Sequence, residues 1–204
     1  LGAGFQVAME DLRLRGAGNI LGEAQSGNIA RVGLDLFLGM LEEEVAKLKG
    51  EGGVVKTDPE LSIGFAANIP EDFVADSSQR LKYYKALSSV DSDVAEAEVL
   101  AEIRDLFGAL PEELENFAAV MSLKRLLSSL QVKGAELGAG RVCLEFSEDA
   151  MAVDAAKLVQ WVGARTDKAK LSPPAKLDLN LSSGLGPAQA MLEAGRQLEQ
   201  LLSG

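Results

Sequence analysis

The residues of this chain best suited to chemistry lie in one glycine-rich stretch, residues 11–27, which reads DLRLRGAGNILGEAQSG. The stretch contains the arginines Arg13 and Arg15 and the glutamine Gln25. A planar guanidinium can bridge a carboxylate or phosphate in one state of a protein and release it in another, and a neutral amide can touch a phosphate backbone without a lasting ion pair. Glycines that allow unusual backbone conformations accompany these side chains at Gly16, Gly18, Gly22 and Gly27.

Two nucleotide-binding interpretations of this stretch do not fit the sequence. A dinucleotide fingerprint would need a third glycine where the chain has Leu21, and no hydrophobic strand precedes the stretch. The chain also lacks a phosphate-binding GxxxxGK[ST] loop, so we expect it to have no ATPase or other enzymatic activity by itself. A structural role, in which Arg15 and Gln25 only satisfy loop carbonyls and a carboxylate such as Asp11, stays open at this point.

A second candidate site is acidic. Glu102 and Asp105 lie three residues apart and therefore on one face of a predicted helix. The chain has a net charge of −11, and residues 51–120 carry 15 acidic and 5 basic side chains. This balance argues against independent nucleic-acid binding, which usually needs a basic face. The acidic face is either a solvated surface or a docking surface for a basic partner.

The cysteine and histidine content excludes several classes of site. The chain has one cysteine, Cys143, and no histidine, which rules out an internal disulfide and any ordinary zinc or Cys–His catalytic site. We expect no bound metal or cofactor and a cytoplasmic location. No apolar run approaches the roughly 18 to 20 residues needed to span a bilayer. Because the sequence starts at Leu1 without a leader pattern, we expect it to be part of a longer protein.

The periodicity of apolar residues predicts an α+β fold. Glycines 50, 52 and 53 indicate a boundary between a helix–loop–helix segment, residues 1–50, and a compact mixed domain, residues 55–204. Helices are predicted at residues 5–14, 32–48, 79–90, 94–107, 111–130, 150–163 and 187–202, with Ser77 or Ser78 and Asp91 or Ser92 as N-caps. Strands are predicted at 61–68 and 176–182, and a hairpin pairs 132–137 with 141–146.

Aromatic residues of the second domain are assigned to its core. Arg80, Tyr83 and Tyr84 could form a stacking platform for single-stranded nucleic acid, but the acidic surroundings favour core packing with the tyrosine hydroxyls at the rim. Trp161 is likewise expected in the core. Cys143 alternates with apolar neighbours and is expected to be a small buried or half-buried residue.

The glycine-rich stretch resembles the translocation motif of superfamily 2 DNA motors, shared by the transcription-repair coupling factor family and the RecG-type helicases. The resemblance to the coupling factor family continues through VGLDLFLGMLEE, IPEDFVAD, RLKYYKAL and EIRDLFGALPEE, within residues 32–113. All four strings lie after the shared motif, and the last three are similar to a C-terminal domain found in the coupling factor family. A fragment of a RecG-like helicase and an unrelated acidic adaptor are the alternatives.

The resemblance implies a function for each candidate site. Arg15 and Gln25, with Arg13 varying in the family, would couple nucleotide state to movement along duplex DNA. Glu102 and Asp105 would pair with basic residues of an N-terminal domain and hide its surface from the excision-repair damage-recognition protein. The full-length protein would use ATP and magnesium, displace stalled RNA polymerase and recruit nucleotide excision repair; no membrane partner is expected.

Overall fold

A computed structural model describes residues 58–138, 140–146, 155–173 and 175–202 of the chain. The predicted segment 1–50, with its two helices and its motif residues, lies outside the described residues, as does the predicted boundary after it. The helices are α1 (Ser77–Ser89), α2 (Asp93–Phe107), α3 (Glu112–Ser129), α4 (Ala155–Gly163) and α5 (Pro187–Leu202). The strands are β1 (Glu60–Ile63), β2 (Val132–Leu137), β3 (Arg141–Phe146), β4 (Ala169–Ser172) and β5 (Lys176–Asn180).

The five strands form one mixed sheet in the order β1-β2-β3-β5-β4. β1 runs parallel to β2, whereas β2–β3, β3–β5 and β5–β4 are antiparallel pairs. In the central register, Glu136 of β2 lies opposite Cys143 of β3, which lies opposite Asp178 of β5. The α+β prediction and the β2–β3 hairpin are confirmed.

The two faces of the sheet differ in chemistry because side chains alternate along each strand. One face is buried and apolar, with Leu61, Ile63, Ala135, Leu137, Val142, Leu144, Leu177 and Leu179 in the core. The other face is polar, and ion pairs join Arg141 to Asp178 and both Lys133 and Lys176 to Glu145. Helix α3 contacts β2 and α5, and α4 contacts β4 and α5, so these helices cover the apolar face.

Helix α3 is the most buried helix of the domain. Half of its 18 residues are buried, including Leu114, Phe117, Val120 and Leu127, which have no accessible surface. Its one buried amide, Asn116, is 3% exposed and joins three parts of the fold. Asn116 Nδ2 donates to the Ala66 carbonyl at 2.9 Å, and its Oδ1 accepts from the Ala188 N–H, in the first turn of α5, at 2.9 Å.

Local chemistry explains where α1 and α2 begin and where α2 ends. Asp76 is the N-cap of α1, and its Oδ1 accepts from the Gln79 N–H at 2.7 Å. The prediction of Ser77 or Ser78 was therefore wrong by one or two residues, because the carboxylate just before them makes the capping bond. Ser92 caps α2 as predicted. Gly108 ends α2 with a φ of 97°, a conformation that favours glycine.

The strands depart from prediction at two places. β1 ends at Ile63, although the pattern predicted a strand to residue 68, and the Asn68 N–H instead donates to the Glu113 carbonyl at the start of α3. The sequence pattern predicts no strand at the position of β4. Its four residues alternate weakly, and it is a strand because it pairs with β5. Within the described ranges, no helix combines the length and apolar character that crossing a bilayer requires.

The predicted core positions of the aromatic residues are confirmed. Tyr83, Tyr84 and Trp161 are each at most 8% exposed. The Tyr84 hydroxyl lies inside the fold rather than at its rim, where it accepts from the Ile69 N–H at 2.7 Å. Arg80 is buried as well, and its Nη1 donates to the carbonyls of residues 74 and 75 at 2.7 and 3.0 Å, which fixes the turn before α1.

The two hydrogen bonds of Asn116 generate a stability prediction. Replacing Asn116 with Ala removes a buried amide together with its part-buried hydrogen bonds to the Ala66 carbonyl and the Ala188 N–H, so we expect the free energy of unfolding in urea to fall by about 2 kcal/mol. Asn180→Ala, the same substitution at an exposed position of β5, should change it by less than about 0.5 kcal/mol. Equal stabilities of the two variants would contradict a structural role for Asn116.

Candidate docking site on helix α2

Helix α2 lies at the outside of the domain and turns most of its surface to solvent. Ile103 is its one fully buried residue, and Val99, Leu100 and Phe107 pack partly against the core. The exposed positions of the helix include the acidic side chains Glu98, Glu102 and Asp105. The structure thus places both predicted docking residues, Glu102 and Asp105, on the outer surface of one helix.

Glu102 has partners on α1. Its Oε1 accepts from Lys82 Nζ at 2.9 Å and from the Tyr83 hydroxyl at 3.1 Å, while half of the side chain stays exposed. Lys82 Nζ also lies 4.8 Å from the centroid of the Tyr83 ring. Tyr83 in turn packs edge-on against Phe107 of α2 with a centroid separation of 5.8 Å. These contacts fix the crossing of α1 and α2 near the predicted docking residues.

The same contacts shift the titration of all three groups. Hydrogen bonds from Lys82 and Tyr83, together with the Lys82 charge, hold the pKa of Glu102 below its ordinary value. The pKa of Lys82 is raised, chiefly by the hydrogen bond to Glu102. Burial, with the neighbouring Glu102 charge, raises the pKa of Tyr83. Glu102 is therefore ionised and already has one cation beside it before any partner binds.

A second ion-pair group joins α2 to α3 on the other side of the helix. Arg125 donates from Nη1 to Glu96 at 2.7 Å and from Nη2 to Asp93 at 2.8 Å. Glu96 is only 14% exposed, and burial raises its pKa despite the guanidinium beside it. These two carboxylates are engaged in the structure of the domain and are poor candidates for docking.

Asp105 and Glu98 differ from the other acidic residues of α2. Within the part of the chain that the structure describes, neither forms an ion pair, and both are exposed. Sequence reasoning identified Asp105 but missed Glu98, although the spacing of four residues between Glu98 and Glu102 was a usable signal. It also missed Lys82 as a partner of Glu102, because the two residues are 20 positions apart and no local pattern connects them.

Other candidate chemistry is sparse in the described ranges. They contain no group of three or more Cys, Asp or Glu side chains arranged to hold a metal ion. Cys143 is half-buried on the polar face of the sheet, as expected. Burial and the neighbouring Asp178 raise the pKa of its thiol, so the reactive thiolate form is disfavoured.

Comparisons with known proteins point to one family. The family model described as the TRCF domain matches residues 63–158. Transcription-repair-coupling factors from Myxococcus xanthus and Bacillus subtilis are 34% identical over 201 residues and 36% identical over 162 residues, which is 98% and 78% of this chain. The chain belongs to the transcription-repair-coupling factor family. It spans only 17% and 14% of the length of these two relatives.

The fold of this family member also has a solved counterpart. A crystal structure of the C-terminal domain of a transcription-repair coupling factor aligns with a TM-score of 0.60 and covers 72% of this chain and 96% of that one. At 18% identity the likeness concerns the fold. The RecG-like and adaptor alternatives are not favoured by these comparisons. The motif residues Arg13, Arg15 and Gln25 and the glycines Gly16, Gly18, Gly22 and Gly27 lie outside the described residues.

The contact between Lys82 and Glu102 in this coupling-factor domain generates a titration prediction. Lys82→Met removes the cation and should raise the pKa of Glu102 toward its ordinary value, as followed by NMR of the carboxyl carbon. Because the pKa is depressed in the folded state, the contact stabilises the wild type above the unfolded-state pKa. The stabilising contribution of the Lys82–Glu102 contact is lost as pH falls through the folded-state pKa of Glu102. The Lys82→Met variant should lack this contribution at every pH.

Lys85→Met is the matched control, since Lys85 is an exposed lysine of the same helix. It removes an equal charge and should leave the Glu102 titration nearly unchanged. A pKa of Glu102 that moves equally in both variants would show a general charge effect rather than the observed contact.

Proposed function

We propose that this chain is the C-terminal part of an ATP-dependent DNA translocase that displaces stalled RNA polymerase and recruits nucleotide excision repair, and that its α+β domain is an autoinhibitory docking module. The observation that carries the docking role is the exposed acidic surface of α2, where Glu98 and Asp105 have no ion-pair partner in the described part of the chain. Family membership supports the wider role, since the relatives are named for coupling transcription to repair.

The partner in this proposal is a basic surface of the N-terminal repair-protein-binding domain of the same full-length protein. Exposed ion pairs are each worth roughly 0.2–1 kcal/mol, so a few of them make a contact that can open. A switch between closed and open states needs differences of only a few kcal/mol. An acidic helix face is therefore suited to a contact that releases when RNA polymerase is engaged.

Removing the acidic pair should release the inhibition. In the full-length protein, Glu102→Ala with Asp105→Ala should raise basal ATPase activity and binding to the excision-repair damage-recognition protein. The matched control is Glu136→Ala with Asp167→Ala, which removes two exposed carboxylates from other parts of the domain. Unchanged activity and binding in the acidic-pair variant would refute the docking role.

The structure also predicts an order for the single variants. Lys82 already neutralises part of the Glu102 charge, whereas Asp105 has no such cation in the described ranges. Asp105→Ala should therefore have the larger effect on basal ATPase activity. Lys82→Met should have the opposite sign, because Glu102 becomes more available to a basic partner and the closed state is favoured.

For the glycine-rich stretch we propose that Arg15 and Gln25 couple nucleotide state to movement along duplex DNA, while preceding motor domains of the full-length protein hold ATP and magnesium. The resemblance of residues 11–27 to the translocation motif supports this role. The chemistry fits, since a guanidinium can exchange phosphate and carboxylate partners.

Substitution at either residue should uncouple the motor. In the full-length protein, Arg15→Ala or Gln25→Ala should retain ATP hydrolysis but lose translocation, measured by triplex displacement on duplex DNA. Lys47→Ala, which removes a cation from the helix predicted after the loop, is the control and should translocate normally. Normal translocation by the Arg15 and Gln25 variants would exclude the coupling role.

A further inference from the structure

One side of α2 combines acidic and apolar residues in a regular order. Val94, Glu98, Glu102 and Leu106 recur every four residues and form a continuous row, which we call the α2 ridge. Val94 is 71% exposed and Leu106 is 63% exposed. With a rise of 1.5 Å per residue, the two apolar ends are separated by about 18 Å along the helix.

These apolar ends do not contribute to the core of the domain. The residues of α2 that pack into or against the core are Ile103, Val99, Leu100 and Phe107. Scattered exposed hydrophobic residues are common and need no explanation. Here, however, Val94 and Leu106 are the two most exposed large hydrophobic residues of the described part, and they share one ridge with two carboxylates; Val159 and Leu192, the other two, lie on separate helices.

We propose that the α2 ridge docks as a unit against a basic protein surface that has an apolar pocket at each end, about 18 Å apart, for Val94 and Leu106. This inference rests on the proposed docking function and names the chemistry of its partner. The choice of a basic partner follows from charge complementarity with Glu98, Glu102 and the adjacent Asp105. The apolar ends define where along the partner the helix must lie.

The two kinds of contact should respond differently to salt. Ion pairs at an exposed interface are screened as ionic strength rises, because the Debye length falls from about 10 Å at 0.1 M to about 3 Å at 1 M. Burial of Val94 and Leu106 depends on removing apolar surface from water, which salt does not screen. The ridge would therefore give a contact that weakens with salt but retains a defined position.

The test measures binding of the 204-residue chain to the separately purified N-terminal domain of the same full-length protein by calorimetry at low and high salt. Val94→Gln with Leu106→Gln places a good helix former at both positions and should weaken binding about tenfold or more, since burying one such apolar side chain accounts for about a factor of ten. The weakening factor should be similar at both salt concentrations.

Matched controls separate this inference from the docking function itself. Val159→Gln with Leu192→Gln makes the same exchange on α4 and α5 and should bind like the wild type. Asp105→Ala should weaken binding at low salt and much less at high salt. Circular dichroism should show native helix content in every variant.

The possible outcomes distinguish a failure of this inference from a failure of the proposed docking function. Wild-type affinity of the Val94→Gln, Leu106→Gln variant, or equal weakening by the control pair, would overturn the inference while leaving the acidic docking function intact. Weakening by the ridge variant without any effect of Asp105→Ala would support the apolar contact but overturn the electrostatic docking. If the wild-type chain forms no complex with the N-terminal domain, both are overturned.

Discussion

Burial of α3 is the constraint on which the rest of the domain depends. A helix with half of its residues buried needs apolar surfaces on more than one side, and here the sheet, α1 and α5 supply them. Buried backbone and amide groups must also find partners. Asn116 meets this requirement and at the same time joins the loop after β1 to the start of α5. The same helix thus provides much of the apolar packing of the domain and the buried side chain whose hydrogen bonds connect its parts.

The outer position of α2 follows from that arrangement. Because α3 is covered by other elements, α2 touches the core mainly through Ile103 and aromatic contacts near Phe107, and ion pairs hold it to α1 and α3. The acidic residues of α2 therefore differ in whether a basic side chain of another helix pairs with them. Asp93 and Glu96 form ion pairs with Arg125 of α3, and Glu102 forms one with Lys82 of α1. Asp105 is exposed to solvent.

Much of the fold could be predicted because its elements have strong local signals. The helices after residue 76, for α4 from Ala155 onward, and the β2–β3 hairpin are confirmed, since their periodicity agrees with the tertiary structure. Of the predicted caps, the one on α2 is confirmed and the one on α1 is wrong. β4 could not be predicted, because four residues become a strand only when β5 lies beside them. The strand order and the parallel pairing of β1 with β2 also depend on contacts distant in sequence.

The candidate site shows the same division. The shared face of Glu102 and Asp105 follows from helical spacing, but the sequence does not show that Lys82 and Tyr83 approach Glu102 from another helix. Nor does it show that Arg125 engages Asp93 and Glu96. Charge counting alone overestimates the free acidic surface, because partners brought together by folding neutralise part of it.

Trp161 is the only tryptophan of the chain, so its fluorescence reports on one place in the domain as the domain unfolds. Its ring is 8% exposed and lies under the guanidinium of Arg165, 4.5 Å from the ring centroid, and Arg165 also reaches Gln200 of α5. The two tyrosines, in contrast, both lie on α1. Tryptophan fluorescence therefore reports on the junction of α4 with α5, and tyrosine absorbance reports on α1. Comparing the two signals shows whether these two regions unfold in one cooperative transition.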